Sequence, residues 1–159
     1  MHQIVTQIDI AVSPERVWSI LMDFPAYPQW NPFIRSLSGV AKPREKLRAT
    51  IQPEERRAMT FRPRVLKVAN QQELRWLGHL GFPGLFYGEH YFQLTTIGNG
   101  YTRFTQGERF SGILVGMFVS SMEAATKAGF NAMNQALKSR AEANDHIGHT
   151  HDDISKDRY

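Results

Sequence analysis

The chain has 159 residues, 42% of them hydrophobic and 21% charged, which is the size and make-up of one globular domain and excludes wholesale disorder. It has no cysteine, which excludes a disulfide scaffold, thiol catalysis and thiolate metal sites and fits a reducing compartment. A formal charge of +4 is too mild to imply a nucleic-acid partner, and the longest apolar run, Gly112–Val119, falls far short of a membrane span. The opening MHQIVTQIDI has no basic segment ahead of an apolar one, so no secretory signal is read and a cytoplasmic location is expected.

Residues 3–10 place Ile4, Ile8 and Ile10 on one face of a strand, with Gln7 and Asp9 opposite. Ser13 then suits an N-cap and Pro14 a first helical position. Val17, Trp18, Ile20, Leu21 and Phe24 follow at helical spacing until Pro25 stops the helix. The segment PAYPQWNP (25–32) carries three prolines and reads as a turn or short helical corner. From Phe33 to Phe110 the period is mostly two. Strands are predicted near 33–40, 46–53, 57–68, 73–80, 86–97 and 101–110. Pro63 interrupts the third of these, which predicts a bulge or an edge there.

After Gly112 the pattern turns helical, to about Ala143. Val119, Met122, Thr126, Phe130, Met133 and Leu137 form its apolar stripe, and Glu123 and Lys127 are spaced for an i,i+4 pair. At roughly 46 Å this is the longest element. The remainder, 144–159, is polar and aperiodic and is expected to be disordered. Its His146, His149, His151, Asp152 and Asp153 are metal-capable side chains without a fixed scaffold, so no metal site is expected there. The expected architecture is α+β: one domain over 1–143, with a seven-stranded antiparallel sheet covered by the long C-terminal helix and short helices after strand one.

The stretch 8–40, IDIAVSPERVWSILMDFPAYPQWNPFIRSLSGV, resembles the opening of the START-like (SRPBCC) superfamily, within it the polyketide cyclase/dehydrase and lipid-transport group. Further matching segments are Leu74-Arg75-Trp76, Gly88-Glu89-His90, Thr102-Arg103-Phe104, Gly107-Glu108-x-Phe110-Ser111-Gly112 and Gly129–Lys138, so the resemblance spans about residues 3–143. It implies a helix-grip fold, a curved sheet wrapped around the C-terminal helix with a hydrophobic ligand cavity between them. It does not fix an activity, because one fold hosts many functions.

Strand arithmetic singles out one polar pair. A three-residue turn at Gly98-Asn99-Gly100 pairs 97 with 101 and hence 90 with 108. The even positions carry the apolar residues on both strands, so His90 and Glu108 are expected to be inward-facing cross-strand neighbours. An imidazole beside a carboxylate suits general acid–base work or the orientation of a ligand hydroxyl or carbonyl. It also suits a self-satisfied buried polar pair.

Candidate ligand-binding residues are Trp30 and Phe33 from the aromatic corner, Met59, Phe61, Trp76, Phe92, Gln106 and Phe110 from the sheet, and Met122, Thr126, Phe130 and Met133 from the helix. Ordinary core is the competing reading for each. The loops Trp30–Phe33 and Gly81–Phe86 are candidates for gating or membrane contact, or for pinning to the core. Residues 42–67 hold nine basic side chains against three acidic ones. This reads as a solvated face that also suits a transient contact with an anionic membrane. Phe61 is its one aromatic residue, which argues against nucleic acid.

Three functions compete. The first is binding or carriage of a hydrophobic small molecule, lipid or polyketide-like. The second is a polyketide-type cyclase, dehydratase or hydrolase using His90 and Glu108. The third is a stress-response or protein-interaction module. No cofactor is expected, because no dinucleotide fingerprint, P-loop or HExxH pattern occurs.

Overall fold

The computed structural model describes residues 1–143, and the polar tail with its histidines lies outside the described residues. In chain order the elements are β1 (His2–Ile10), α1 (Pro14–Met22), a 3-10 turn (Phe24–Ala26), α2 (Tyr27–Trp30), β2 (Ile34–Ser38), β3 (Arg48–Ile51), β4 (Met59–Phe61), β5 (Arg64–Ala69), β6 (Glu73–Leu80), β7 (Phe86–Thr96), β8 (Thr102–Ser111) and α3 (Val115–Ala143). The strands form two antiparallel sheets, β1-β8-β7-β6-β5 and β2-β3-β4.

The strand count corrects the sequence expectation of seven strands in one sheet. The expected strand over 57–68 is divided at Arg62-Pro63 into β4 and β5, which belong to different sheets. Proline has no N–H to give a ladder, so pairing must change partners there. Its carbonyl still accepts from Leu47 N at 2.8 Å, and Val65 N donates to Glu45 O at 2.8 Å. Residues 44–47 therefore run beside the start of β5 and join the two sheets.

Local chemistry accounts for the first third of the chain. Ser13 Oγ accepts from Arg16 N and Pro14 opens α1. In the corner that follows, Tyr27 is fully buried and its hydroxyl donates to Leu21 O at 2.7 Å. Burial pushes its phenol far above its ordinary pKa, so it remains a donor. Asn31 Oδ1 accepts from both Phe33 N (3.0 Å) and Ile34 N (2.8 Å), which closes the corner and aims the chain into β2.

The helix α3 lies across the concave side. Phe130, Met133, Leu137 and Ala141 are buried with Ile10, Phe92, Phe104 and Leu21 in one core. Asn134 Nδ2 donates to Thr6 Oγ1, and Lys138 Nζ to Asp9 O, which fastens α3 to β1. No ion pair joins Glu123 to Lys127 among the described residues; Glu123 instead lies 3.3 Å from His2 Nε2. On the convex face Glu73 accepts from Arg75, Lys67 and Gln93, and Arg75 also pairs with Glu89. Burial works against the Glu73 charge, but these donors outweigh it and hold the carboxyl below its ordinary pKa.

Candidate functional site

The register of the five-stranded sheet lays its inward side chains out in rows. One row runs Trp76, His90, Glu108 and Ile4 across β6, β7, β8 and β1. The next row toward the core interior is Leu74, Phe92, Gln106 and Thr6. The row on the other side is Gly78, Gly88, Phe110 and His2. Two glycines side by side leave a gap where two inward side chains would stand. That gap is the floor of a cavity.

The cavity lies between the two sheets and the first half of α3. Phe33, Ala49, Ile51, Pro53, Met59, Phe61 and Pro63 line it from one side, and Trp76, Gly78, His79, Leu80, Phe86, Gly88, Glu108 and Phe110 from the other, with Met122 and Thr126 above. Its volume is about 80 Å³. That is less than the roughly 150 Å³ that takes up a benzene-sized molecule, so a larger ligand must displace side chains. The lining is apolar apart from a few groups, of which Glu108 carries the only carboxylate among the described residues.

Glu108 is held by its neighbours. A Cβ on Gly88 would stand 2.4 Å from Glu108 Oε1, so the carboxylate occupies space that only a glycine leaves open. His90 Nδ1 lies 3.5 Å from Glu108 Oε2, within ion-pair reach and longer than a good hydrogen bond. Gln106 Nε2 lies 3.3 Å from His90 Nε2. The tautomer with its proton on Nδ1 suits both contacts, because Nε2 then accepts from the Gln106 amide. Trp76 stacks on the His90 ring at 4.9 Å, and Phe92 and Phe130 meet it edge-on. His90 is only 2% exposed and does not line the cavity, whereas its neighbours Glu108 and Trp76 do. Chemically, the arrangement offers a carboxylate acceptor in an apolar chamber, backed by an imidazole that can relay a proton.

Of the sequence candidates, Phe33, Met59, Phe61, Trp76, Glu108, Phe110, Met122 and Thr126 line this cavity. Phe92, Gln106, Phe130 and Met133 are buried beneath it, in the packed end of the core. Gln106 also carries a buried Oε1 without a hydrogen-bond partner. Trp30 is elsewhere, beside Arg16 and Arg140 in a polar groove between α1 and α3. Sequence reasoning missed Gly78 and Gly88. The signal was present: both sit at inward positions of paired strands, where a glycine marks close approach or a missing side chain. It also missed Pro53, Ala49 and Ile51, whose part depends on how the small sheet folds over the large one.

The profile of the polyketide cyclase / dehydrase and lipid transport family matches residues 1–142. The chain belongs to that family. Among solved structures it is similar to the ZhuI aromatase/cyclase from Streptomyces sp. R1128, at 13% identity and a TM-score of 0.71, over 89% of this chain and 93% of that one. A START superfamily protein from Mycobacterium smegmatis is 23% identical with a TM-score of 0.68, over 90% and 99% of the two chains. Norcoclaurine synthase from Thalictrum flavum, solved with dopamine and hydroxybenzaldehyde, is 16% identical with a TM-score of 0.68, over 90% and 87%. These identities establish a shared fold. No curated protein matches the chain in sequence. For this member of the family, no helix among the described residues is long and apolar enough to cross a membrane. No group of three or more His, Asp or Glu among them is placed to hold a metal ion.

Proposed function

We propose that the protein binds a hydrophobic small molecule carrying one hydrogen-bond donor, with the apolar body over Gly78 and Gly88 and the donor on Glu108. The observation that carries this reading is the chamber itself: an apolar space opened by two paired glycines, with one carboxylate set into its wall. A carboxylate in such surroundings gains most from a donor that comes with the ligand. Met59 and Met122 line the space and are the adaptable side chains that a larger ligand would displace. Mass spectrometry of organic extracts tests this, comparing the purified protein with Gly78→Leu. A compound held by the wild type and lost from the variant is the expected result. A wild type that is empty and takes up no apolar compound overturns the reading.

A second reading is an enzyme of the cyclase or dehydratase type. The observation favouring it is the Gln106–His90–Glu108 line, which can pass a proton between the cavity and the buried imidazole. Glu108→Gln separates the two. Binding alone weakens about tenfold when one charge-assisted hydrogen bond is lost. Catalysis falls by roughly 10²–10⁴ with binding retained.

A further inference from the structure

We infer that the open end of the cavity docks on an anionic lipid surface. The β6–β7 loop (81–85) and the start of α3 are tied together, with Ile113 N donating to Gly84 O at 3.2 Å and Leu114 N to Leu85 O at 3.0 Å. This paired tip holds out three large apolar side chains: Phe82 and Ile113 are each 79% exposed and Met117 is 70% exposed. Such groups on a protruding tip, rather than in a groove, suit insertion into a fluid apolar layer better than a shaped protein partner. The tip adjoins the cavity, because Leu80 and Phe86 at the two ends of its loop both line it.

Charge flanks the tip on both sides. Lys46, Arg62 and Arg64 surround a surface depression that also includes Leu80 and Gly81. On the other side Arg56 donates from the β3–β4 loop (52–58) to Ser121 O on α3, which holds the loop against the helix with Arg57 next in the chain. Residues 45–64 hold six cations, Lys46, Arg48, Arg56, Arg57, Arg62 and Arg64, against the acids Glu45, Glu54 and Glu55. The combination of a few insertable apolar side chains with a basic collar is the two-signal arrangement that anionic leaflets recognise. The inference needs no bound ligand, so it stands or falls separately from the cavity reading.

Sedimentation of the full chain with vesicles tests it, using phosphatidylcholine alone and phosphatidylcholine mixed with phosphatidylglycerol. The protein is expected to sediment with the mixed vesicles only, and to be released as salt is raised. Phe82→Ser/Ile113→Ser/Met117→Ser and Lys46→Glu/Arg62→Glu/Arg64→Glu are each expected to lower partitioning about tenfold or more. All six positions are surface positions, and thermal unfolding of each variant confirms that it is folded. Arg16→Glu/Arg140→Glu, in the groove between α1 and α3 where Arg140 lies about 35 Å along α3 from Met117, is expected to bind as the wild type does. The inference is overturned if the wild type stays in the supernatant or if the apolar triple variant binds unchanged. It is also overturned if the Arg16/Arg140 variant is equally impaired, or if the tip instead mediates a concentration-dependent dimer in analytical ultracentrifugation.

Discussion

The two halves of α3 have opposite fates. The second half is the more polar in sequence, yet Phe130, Met133, Leu137 and Ala141 are buried in the core. The first half begins inside the longest apolar run of the chain, Gly112–Val119, yet Ile113 just ahead of the helix and Met117 and Phe118 within it are exposed. The difference is cover. The second half lies against β1, α1 and the packed inner rows of the sheet. The first half faces the row where Gly78 and Gly88 offer no side chains, so it spans a cavity instead of closing a core. Helical periodicity therefore located the helix and the stripe that is buried in its second half, whereas hydrophobicity alone would have placed the buried part at its start.

The contrast can be broken most directly by truncation. Phe130→Ala is expected to lose about 3–5 kcal/mol, because a ring in contact with Phe33 and His90 leaves a hole that the core cannot close. Met117→Ser should stay within about 0.5 kcal/mol. Urea unfolding compares them, and equal losses would remove the distinction between the two ends.

A pair of glycine variants sharpens the account of the cavity. Gly88→Ala is expected to displace the Glu108 carboxylate, whose Oε1 lies 2.4 Å from the new Cβ, and to weaken ligand retention about tenfold. Gly78→Ala meets nothing nearer than Pro63 Cβ at 3.8 Å. It should leave stability unchanged or raise it by about 0.5 kcal/mol. Thermal melts with retention of the extracted compound read both, and identical behaviour would mean that Gly88 does not position Glu108.

On the convex face, Glu73→Gln should cost about 1 kcal/mol, since its partner Lys67 is largely solvated and screened. The wild-type carboxyl is held below its ordinary pKa of 4.5. Its stabilisation is therefore complete above the unfolded value and lost as pH falls through the lower folded one. The variant should lose less stability than the wild type in that acid window, measured by urea unfolding across pH.

The smallest effect belongs to the end of α3. The Ala11 N–H, then Lys138, lower the Glu142 pKa from its ordinary 4.5. This staple too is present above the unfolded value and released as pH falls through the folded one. Amide exchange at Ala11 should quicken in that range while amides near Met117 do not respond, and Glu142→Gln should abolish the response.

Several features were legible in the residues alone. The Ser13-Pro14 helix start, the aromatic corner and the turn at Gly98-Asn99-Gly100 are local chemistry, and all three form as read. The turn also set the pairing of His90 with Glu108, because side-chain faces alternate with a period of two from a known turn. Depth along an inward face is not legible from alternation. Phe92 and Gln106 share a face with Trp76 and Glu108, yet they stand one row further in, Gln106 against Met133 of α3 and Phe92 against Phe104, and do not line the cavity. Trp30 was grouped with Phe33 by proximity in sequence, but the Asn31 turn sends the two rings to different sides of α3.

The sequence by itself determined the α+β class, the long C-terminal helix and the cross-strand partner of Glu108, because these follow from periodicity and turn geometry within short stretches. Only the tertiary structure decided that Pro63 separates two sheets, that the small sheet closes over Gly78 and Gly88, and that His90 stands behind Trp76 and Glu108 and not on the cavity wall. Those outcomes depend on which surfaces meet across the fold, and a missing side chain makes a cavity only where its neighbours fail to fill the space.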